Sequence, residues 1–279
     1  AHRIIEECML AANVSAAKYL LKHKHPTLFR VHDKPPEEKL AALRAFLSEL
    51  SLDLKGGAKP TAMDYSILLR HIEGRDDAHL IQTVMLRSMS QAVYSPTNLG
   101  HFGLSFPAYL HFTSPIRRYP DLIVHRGIKR ILQNESLKEP EEEVAEKYEA
   151  LGHHFSSTER RADDATRDAT LALKCEYMAD KVGEIFEGIV SAVTSFGLFV
   201  ELKNIYIEGL IHISQLGEDY FYFEPIHHRV VGERTRQVYQ LGDHLTVKLV
   251  RVDVDDKKID FELFTTDRKP KKSKPKRRR

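Results

Sequence analysis

The feature that most constrains the fold is a change of hydrophobic period at Val182. Before it, apolar residues recur every three or four positions. After it, "VGEIFEGIVSAVTSFGLFVEL" alternates apolar and polar positions with glycine at the bends, and "EGLIHIS" and "DHLTVKLVRVDVDDKKIDFEL" continue the alternation. A period of 3.6 turns one helix face to a core, and a period of two turns one strand face to it. The two halves therefore need different architectures. About five short strands in roughly eighty residues fit a small closed barrel, because closure removes unpaired edges. The expected organisation is α+β and multidomain: a mainly helical part over residues 1–181, a five-stranded β-barrel over 182–265 and a tail over 266–279.

The helical part opens with "AHRIIEECMLAANVSAAKYLLKH", in which Ile5, Met9, Ala12, Ala16 and Leu20 share one face. It has neither an initiator methionine nor a capping lead-in, so the chain is expected to be cut from a longer one. A second helix is predicted from Pro36 to about Leu50, with acids in its first turn. "KGGAKP" ends that unit. Thr61 to Ile72 and Asp77 to Tyr94 read as two more helices. "SPTNLGHFGLSFPAYLHFTSP" breaks the pattern and reads as extended strand and loop. Ser114 is placed to cap a turn starting at Pro115, and a main helix is expected from near Pro120. A long helix follows from about Pro140 to Asp180.

Charge separates the tail from the body. The last fourteen residues, "TDRKPKKSKPKRRR", hold nine Lys/Arg and one acid, which leaves 33 basic and 39 acidic residues in the body. A tail of this composition has nothing to bury and is expected to be disordered. Lys271, Lys272 and their neighbours suit a polyphosphate backbone, whose affinity comes largely from counterion release. No apolar run approaches the roughly 20 residues of a membrane span, and no signal peptide opens the chain. Cys8 and Cys175 lie far apart and read as buried thiols of a reducing compartment. A cytoplasmic setting is expected. The pairs His23/His25, His153/His154 and His227/His228 lack cysteine partners and a zinc-like frame, so no histidine metal site is expected.

The stretch "HFTSPIRRYPDL", His111 to Leu122, sets two adjacent arginines between two prolines. Fixed positive charges in so rigid a frame call for an anionic partner. Arg117 and Arg118 are candidates for phosphate contact, and either is also placed to pair with Asp121.

Two resemblances follow from these segments. "VGEIFEGIVSAVTSFGLFVELKNIYIEGLIHISQL" and the later "VKLVRVDVDDKKIDFEL" resemble the RNA-binding OB-fold domain of the ribosomal-protein-S-one type, over about Val182 to Phe264. Carried onto matching positions, that resemblance implies an RNA-binding face of Phe196, Phe199, His212, Asp253 and Lys257. Lys257 stands where many relatives have arginine, which keeps a cation and loses planar stacking. Period-two logic alone leaves Phe196 and Phe199 open to a core assignment, and a bend at Gly197 is needed to bring both outward.

"AHRIIEECMLAANVSAA", "LRSMSQAVYSPTNLGHFGL" and "HFTSPIRRYPDLIVHR" resemble the C-terminal portion of the catalytic domain of the RNase II/RNase R exoribonuclease family, its bacterial RNase R branch most closely. The resemblance implies stepwise hydrolysis from the 3′ end of single-stranded RNA to nucleoside 5′-monophosphates, with Mg²⁺ ions held by an aspartate cluster. It places Arg117 at the scissile phosphate with Arg118 beside it, and sets Glu7, or less directly Glu6, toward the terminal nucleotide. Tyr119, His111 and His101 are channel candidates and are equally suited to packing. The family's aspartate run, near "DxxDxDDA" in form, is absent from the sequence. "DYSILL" holds one acid, "RADDATRD" lies on a predicted exposed helix, and "DVDDKKID" reads as the turn of a hairpin.

The expectation is thus an exoribonuclease fragment that binds RNA, holds no metal itself and needs an upstream segment of the same enzyme for efficient cleavage. Its basic tail is a candidate dock for ribosomes or RNA-rescue factors. The alternative is a non-catalytic RNA-binding or ribosome-associated module. A hydrolase of a small phosphorylated molecule fits poorly, since it needs clustered metal ligands and leaves the barrel without a use.

Overall fold

The computed structural model describes residues 1–75, 77–135, 140–225 and 227–264. The basic tail, with Lys271 and Lys272, lies outside the described residues. The described residues form two compact units, which divide between Thr166 and Arg167.

The first unit contains α1 (His2–Lys22), β1 (Phe29–Val31), α2 (Glu37–Glu49), α3 (Ala62–His71), α4 (Ala78–Ser88), β2 (Val93–Ser95), α5 (Tyr119–Leu132) and the greater part of α6 (Glu141–Ala179). Local signals set most of these ends. Thr61 and Asp64 form a reciprocal capping box at the start of α3. Pro120 sits in the first turn of α5, where its missing N–H leaves no intrahelical bond unmade. The helix expected to reach Tyr94 stops at Ser88, because Val93, Tyr94 and Ser95 pair antiparallel with Val31, Arg30 and Phe29. Tertiary pairing here overrides a local helical pattern. The segment after β2 is mostly loop, with a short 3₁₀ turn at Phe102–Leu104 in place of a paired strand. Gly100, at φ 75°, bends the chain, and the pairing that follows is limited to isolated bridges of His101 with His32 and Phe106.

The core of this unit gathers Ala16, Ala17 and Leu20 of α1, Phe29 and Val31 of β1, Ala108, Leu110 and Val124. The stripe expected on α1 is only half buried. Leu20 is inaccessible, whereas Ile5 is 60% exposed and Met9 37%. Residues 2–9 of α1 touch too little to be covered, which also leaves Cys8 exposed, contrary to the expected burial of both thiols. On the far side, α6 approaches β2 closely: a Cβ at Gly152 would fall 2.7 Å from the Tyr94 carbonyl oxygen. Buried Ser156 completes the seat by accepting from the Tyr94 N–H at 2.9 Å and donating to the Gly152 carbonyl at 2.8 Å.

The division between units falls within α6, ahead of the period change at Val182, because the end of this helix belongs with the barrel. Cys175 and Met178 are fully buried, and Lys174 donates to the Tyr206 carbonyl at 2.7 Å. The barrel is closed. It comprises β3 (Ile185–Thr194), β4 (Gly197–Leu202), β5 (Glu208–His212), β9 (His244–Asp253) and β10 (Lys258–Leu263), in the order β10-β5-β4-β3-β9. A parallel β5–β10 contact pairs Leu210 with Asp260 and shuts it. Val190, Leu198, Val200, Ile211, Val247, Leu249 and Phe261 fill the interior, each at most 1% exposed.

Between β5 and β9 lies an element that the periodicity reading missed, a three-stranded antiparallel sheet of β6 (Phe221–Glu224), β7 (Arg229–Gly232) and β8 (Val238–Gln240). The Asp219 carboxylate pins its turn, accepting from the Thr235 hydroxyl at 2.6 Å and the Thr235 N–H at 2.7 Å. These bonds favour the ionised form and hold Asp219 at about 2.

Candidate nucleic-acid interface

In the first unit the interface is built around the turn that opens α5. Pro115 starts it, and the N–H groups of Arg117 and Arg118 both donate to the Ser114 carbonyl, at 3.3 and 3.0 Å. Asp121, fully buried in the first turn of α5, grips the turn from inside. Its Oδ2 accepts from the Ser114 N–H at 2.7 Å and from Arg118 Nη2 at 2.8 Å. The sequence left open which arginine pairs with Asp121; the structure selects Arg118, whose side chain is 18% exposed. Arg117 is thereby left outward and exposed, beside the fully exposed Ile116. Among the described residues Arg117 makes no ion pair, so its five N–H donors face solvent.

Behind the turn is an aromatic and histidine layer. His111 Nδ1 meets the Tyr94 hydroxyl at 2.8 Å, and Tyr109 lies edge-on to both His101 and His111. Arg30 lies over the Tyr94 ring at 4.7 Å and pairs with Glu159 at 2.7 Å. Burial, reinforced by Arg118, pushes His111 down to about 3. Burial, reinforced by His32, takes His101 to about 4. Burial lifts Tyr94 to about 12. These rings stay neutral at pH 7 and back the turn as packing. The sequence reading missed Asn13, which is 3% exposed. It donates to the Tyr109 hydroxyl and accepts from the Phe112 N–H, both at 2.9 Å, tying α1 to the segment that leads into the turn. An amide inside an alanine-rich helix face was the available signal. Glu7 is exposed on the uncovered end of α1, as is Glu6. Tyr119 is 49% exposed, accepts a hydrogen bond from Arg126 at 3.0 Å and packs obliquely on Phe155.

In the barrel unit, Phe196 is 47% exposed and Phe199 partly so, with ring centroids 5.9 Å apart and planes at 88°. Phe199 lies on β4 and Phe196 in the two-residue turn before it, which closes on the Thr194–Gly197 pair, with Gly197 as the first residue of β4. A Cβ there would fall 2.1 Å from the Ile211 carbonyl oxygen, so only glycine lets β4 approach β5 this closely. Gly197 pairs with His212, which is exposed and bonded to the Ser214 hydroxyl at 2.8 Å. Phe196, Phe199 and His212 thus gather around the start of β4.

Asp253 and Lys257 lie in the β9–β10 hairpin. The row Phe199–Leu210–Asp260 fixes the register, and β10 runs parallel to β5. The hairpin end of β10 therefore lies on the opposite side of the Leu210 row from His212. Asp253 is engaged by Arg251 and by the Asp256 N–H. Lys257 takes a left-handed turn conformation and pairs with Asp168 of α6. Its neighbour Lys258 stands directly across the ladder from Asp253. "DVDDKKID" is a hairpin turn, and Asp163, Asp164 and Asp168 of "RADDATRD" are exposed on α6. Among the described residues no group of three or more His, Cys, Asp or Glu side chains could hold a metal ion, so these residues do not fit a magnesium site. No helix among them is long and apolar enough to cross a membrane.

Comparison with known proteins finds two domain families in the chain. Residues 1–134 match the RNB domain and residues 179–264 the S1 RNA binding domain. The chain is 48% identical over 278 residues to Ribonuclease R of Escherichia coli (strain K12), covering 97% of this chain and 34% of that protein. It is 50% identical over 277 residues to Ribonuclease R of Vibrio parahaemolyticus, covering 96% of this chain and 33% of that protein. The chain therefore spans about a third of the length of the curated relatives it matches. Among solved structures, the apo form of Mycoplasma genitalium RNase R superposes with a TM-score of 0.85 at 30% identity, covering 93% of this chain and 41% of that one. The same enzyme in complex with ribose methylated single-stranded RNA gives the same values.

Proposed function

Because the chain belongs to the RNase II/RNase R family, we propose that it is the part of a 3′-to-5′ exoribonuclease that grips single-stranded RNA and supplies the arginine at the scissile phosphate. The observation that carries this is the outward, unpaired Arg117 on a turn clamped by buried Asp121. A guanidinium held in this way binds two phosphate oxygens at once and needs no rearrangement as negative charge develops on them. Phe196 and Phe199 offer stacking faces that every base can use, which suits capture without sequence preference. Glu7 is assigned to the terminal nucleotide. The basic tail is assigned to backbone contact, with ribosomes or RNA-rescue factors as further partners of that charge, in a cytoplasmic setting.

Two-metal hydrolysis to nucleoside 5′-monophosphates is the chemistry of the whole enzyme in this proposal. We assign its magnesium to residues outside this chain, since none of the described clusters fits the ion. This chain alone then binds RNA and cleaves it poorly. The test is a magnesium-dependent degradation assay on 3′-labelled single-stranded RNA, with the chain alone and with the remaining portion of the enzyme added. Stepwise release of mononucleotides only in the mixture is expected. Efficient release by the chain alone would place the metal site within these residues and overturn that part of the proposal. The second reading, a non-catalytic RNA-binding module, draws on the same lack of a fitting metal cluster. It predicts RNA binding and no release in either arm.

A further inference from the structure

On the flank of α5, away from the Ser114–Asp121 clamp, lies a pocket of about 250 Å³. Tyr119, Arg126 and Arg130 of α5 form one wall, Lys147 and Tyr148 of α6 the other, and His25 closes it, all within the first unit. Its described lining holds three cationic side chains and no carboxylate. This is unusual in a chain whose body carries more acid than base. Arg126 donates to the Tyr119 hydroxyl and lies 5.6 Å from that ring's centre, so its guanidinium is oriented without being neutralised. Among the described residues neither Arg126 nor Arg130 pairs with a carboxylate. Gly127 lets α5 pass the His25 ring, since a Cβ there would come within 3.0 Å of it. The two arginines are one helical turn apart on α5 and so project from one face. The positive field reaches His25, whose proton affinity is lowered first by burial and then by Arg130.

Two guanidinium groups on one face, flanked by two phenol rings, form a grip for a phosphate with a flat group beside it. The exposed arginine of the α5 turn is a separate feature. It precedes Tyr119 in the chain and does not line this pocket. We propose that the pocket binds the phosphate of a nucleotide unit, with Arg126 and Arg130 on the phosphate and Tyr119 and Tyr148 against the remainder. This site is additional to the Arg117 turn and does not depend on Arg117 having a catalytic role.

The test is an NMR titration of the 279-residue chain, following the backbone amides of Gly127 and Arg130. The probes are inorganic phosphate, adenosine monophosphate and a short single-stranded oligoribonucleotide. Saturable shifts with adenosine monophosphate are expected. Arg126→Ala and Arg130→Ala should each weaken binding by about tenfold or more, the usual worth of a hydrogen bond to a charged group. Both side chains are exposed, so the variants should keep the parent's thermal melt. Shifts with the oligoribonucleotide alone would identify the phosphate as part of an RNA strand. Three silent probes would overturn the proposal. So would shifts that survive both substitutions, or shifts that vanish in Arg117→Ala, because the ligand would then sit elsewhere.

Discussion

Asp121 is the residue on which the α5 turn depends, and its replacement separates a clamp from a bystander. One oxygen of a fully buried carboxylate holds both the Ser114 N–H and the Arg118 guanidinium. Asp121→Ala removes the acceptor from both donors and leaves a largely buried guanidinium without its countercharge. Breaking such a pair from one side costs about 3–5 kcal/mol. Asp121→Asn keeps the shape and one carbonyl acceptor, losing the charge assistance but retaining one neutral bond. The difference between a charge-assisted and a neutral bond puts its cost at about 1–2 kcal/mol. Against a total stability of about 5–15 kcal/mol, the alanine variant loses a large fraction and the asparagine variant a modest one. Urea denaturation followed by far-UV circular dichroism measures both, with the transition of the first unit as the readout. Asp121→Ala within about 0.5 kcal/mol of the parent, the range of an ordinary surface change, would refute the clamp. A larger loss for asparagine than for alanine would refute the charge argument specifically.

Further outcomes follow from other parts of the structure. In the complete enzyme, Arg117→Ala should reduce turnover more than RNA affinity, because its contact strengthens as charge develops; equal loss of affinity with unchanged turnover would remove it from the reaction. Phe196→Ala should weaken binding of a short single-stranded RNA by about 1–3 kcal/mol in an anisotropy titration while the barrel's melt stays in place. Phe261→Ala, at a fully buried barrel position, should instead destabilise by about 3–5 kcal/mol. Deleting residues 266–279 should weaken binding to all sequences alike and flatten the dependence on salt, measured by repeating the titration across ionic strengths. The lowered pKa values of His101 and His111, near 4 and 3, mean that the unfolded chain binds more protons than the native one below about pH 6.5. Their contribution is intact above that value and is lost progressively as the pH falls toward 3. His111→Gln should flatten this slope relative to the parent in denaturation midpoints taken from pH 7 to 4.

The helical and barrel halves were legible because period 3.6 and period two put different residues on a core, and Val182 marks the change in plain view. The exposure of Phe196 was not legible from strand periodicity, because this residue lies in the β3–β4 turn and Gly197 opens β4 as a paired residue. The sheet of β6 to β8 was not legible, since its strands are three or four residues long, too short for an alternation to register. Adjacent arginines are equivalent in sequence. Only the geometry of the Pro115 turn sends Arg118 inward to Asp121 and Arg117 out. The sequence singles out Asp253 and Lys257 without fixing the register across their turn, which puts Lys258 opposite Asp253 and leaves Lys257 in the turn. The α5 pocket was invisible because its lining is scattered from His25 to Leu151 and has no motif.

The uncovered first turns of α1 have a practical chemical consequence. Cys8 stands in the open next to Glu7, whereas Cys175 is buried and its thiol is pushed upward by desolvation and by Asp253. Thiolate is the reactive form, so a maleimide added to the native protein at neutral pH selects Cys8 and spares Cys175. Native chemistry alone therefore delivers a fluorophore or spin label to one known position, one residue from the glutamate assigned to the RNA terminus, with no engineered cysteine needed.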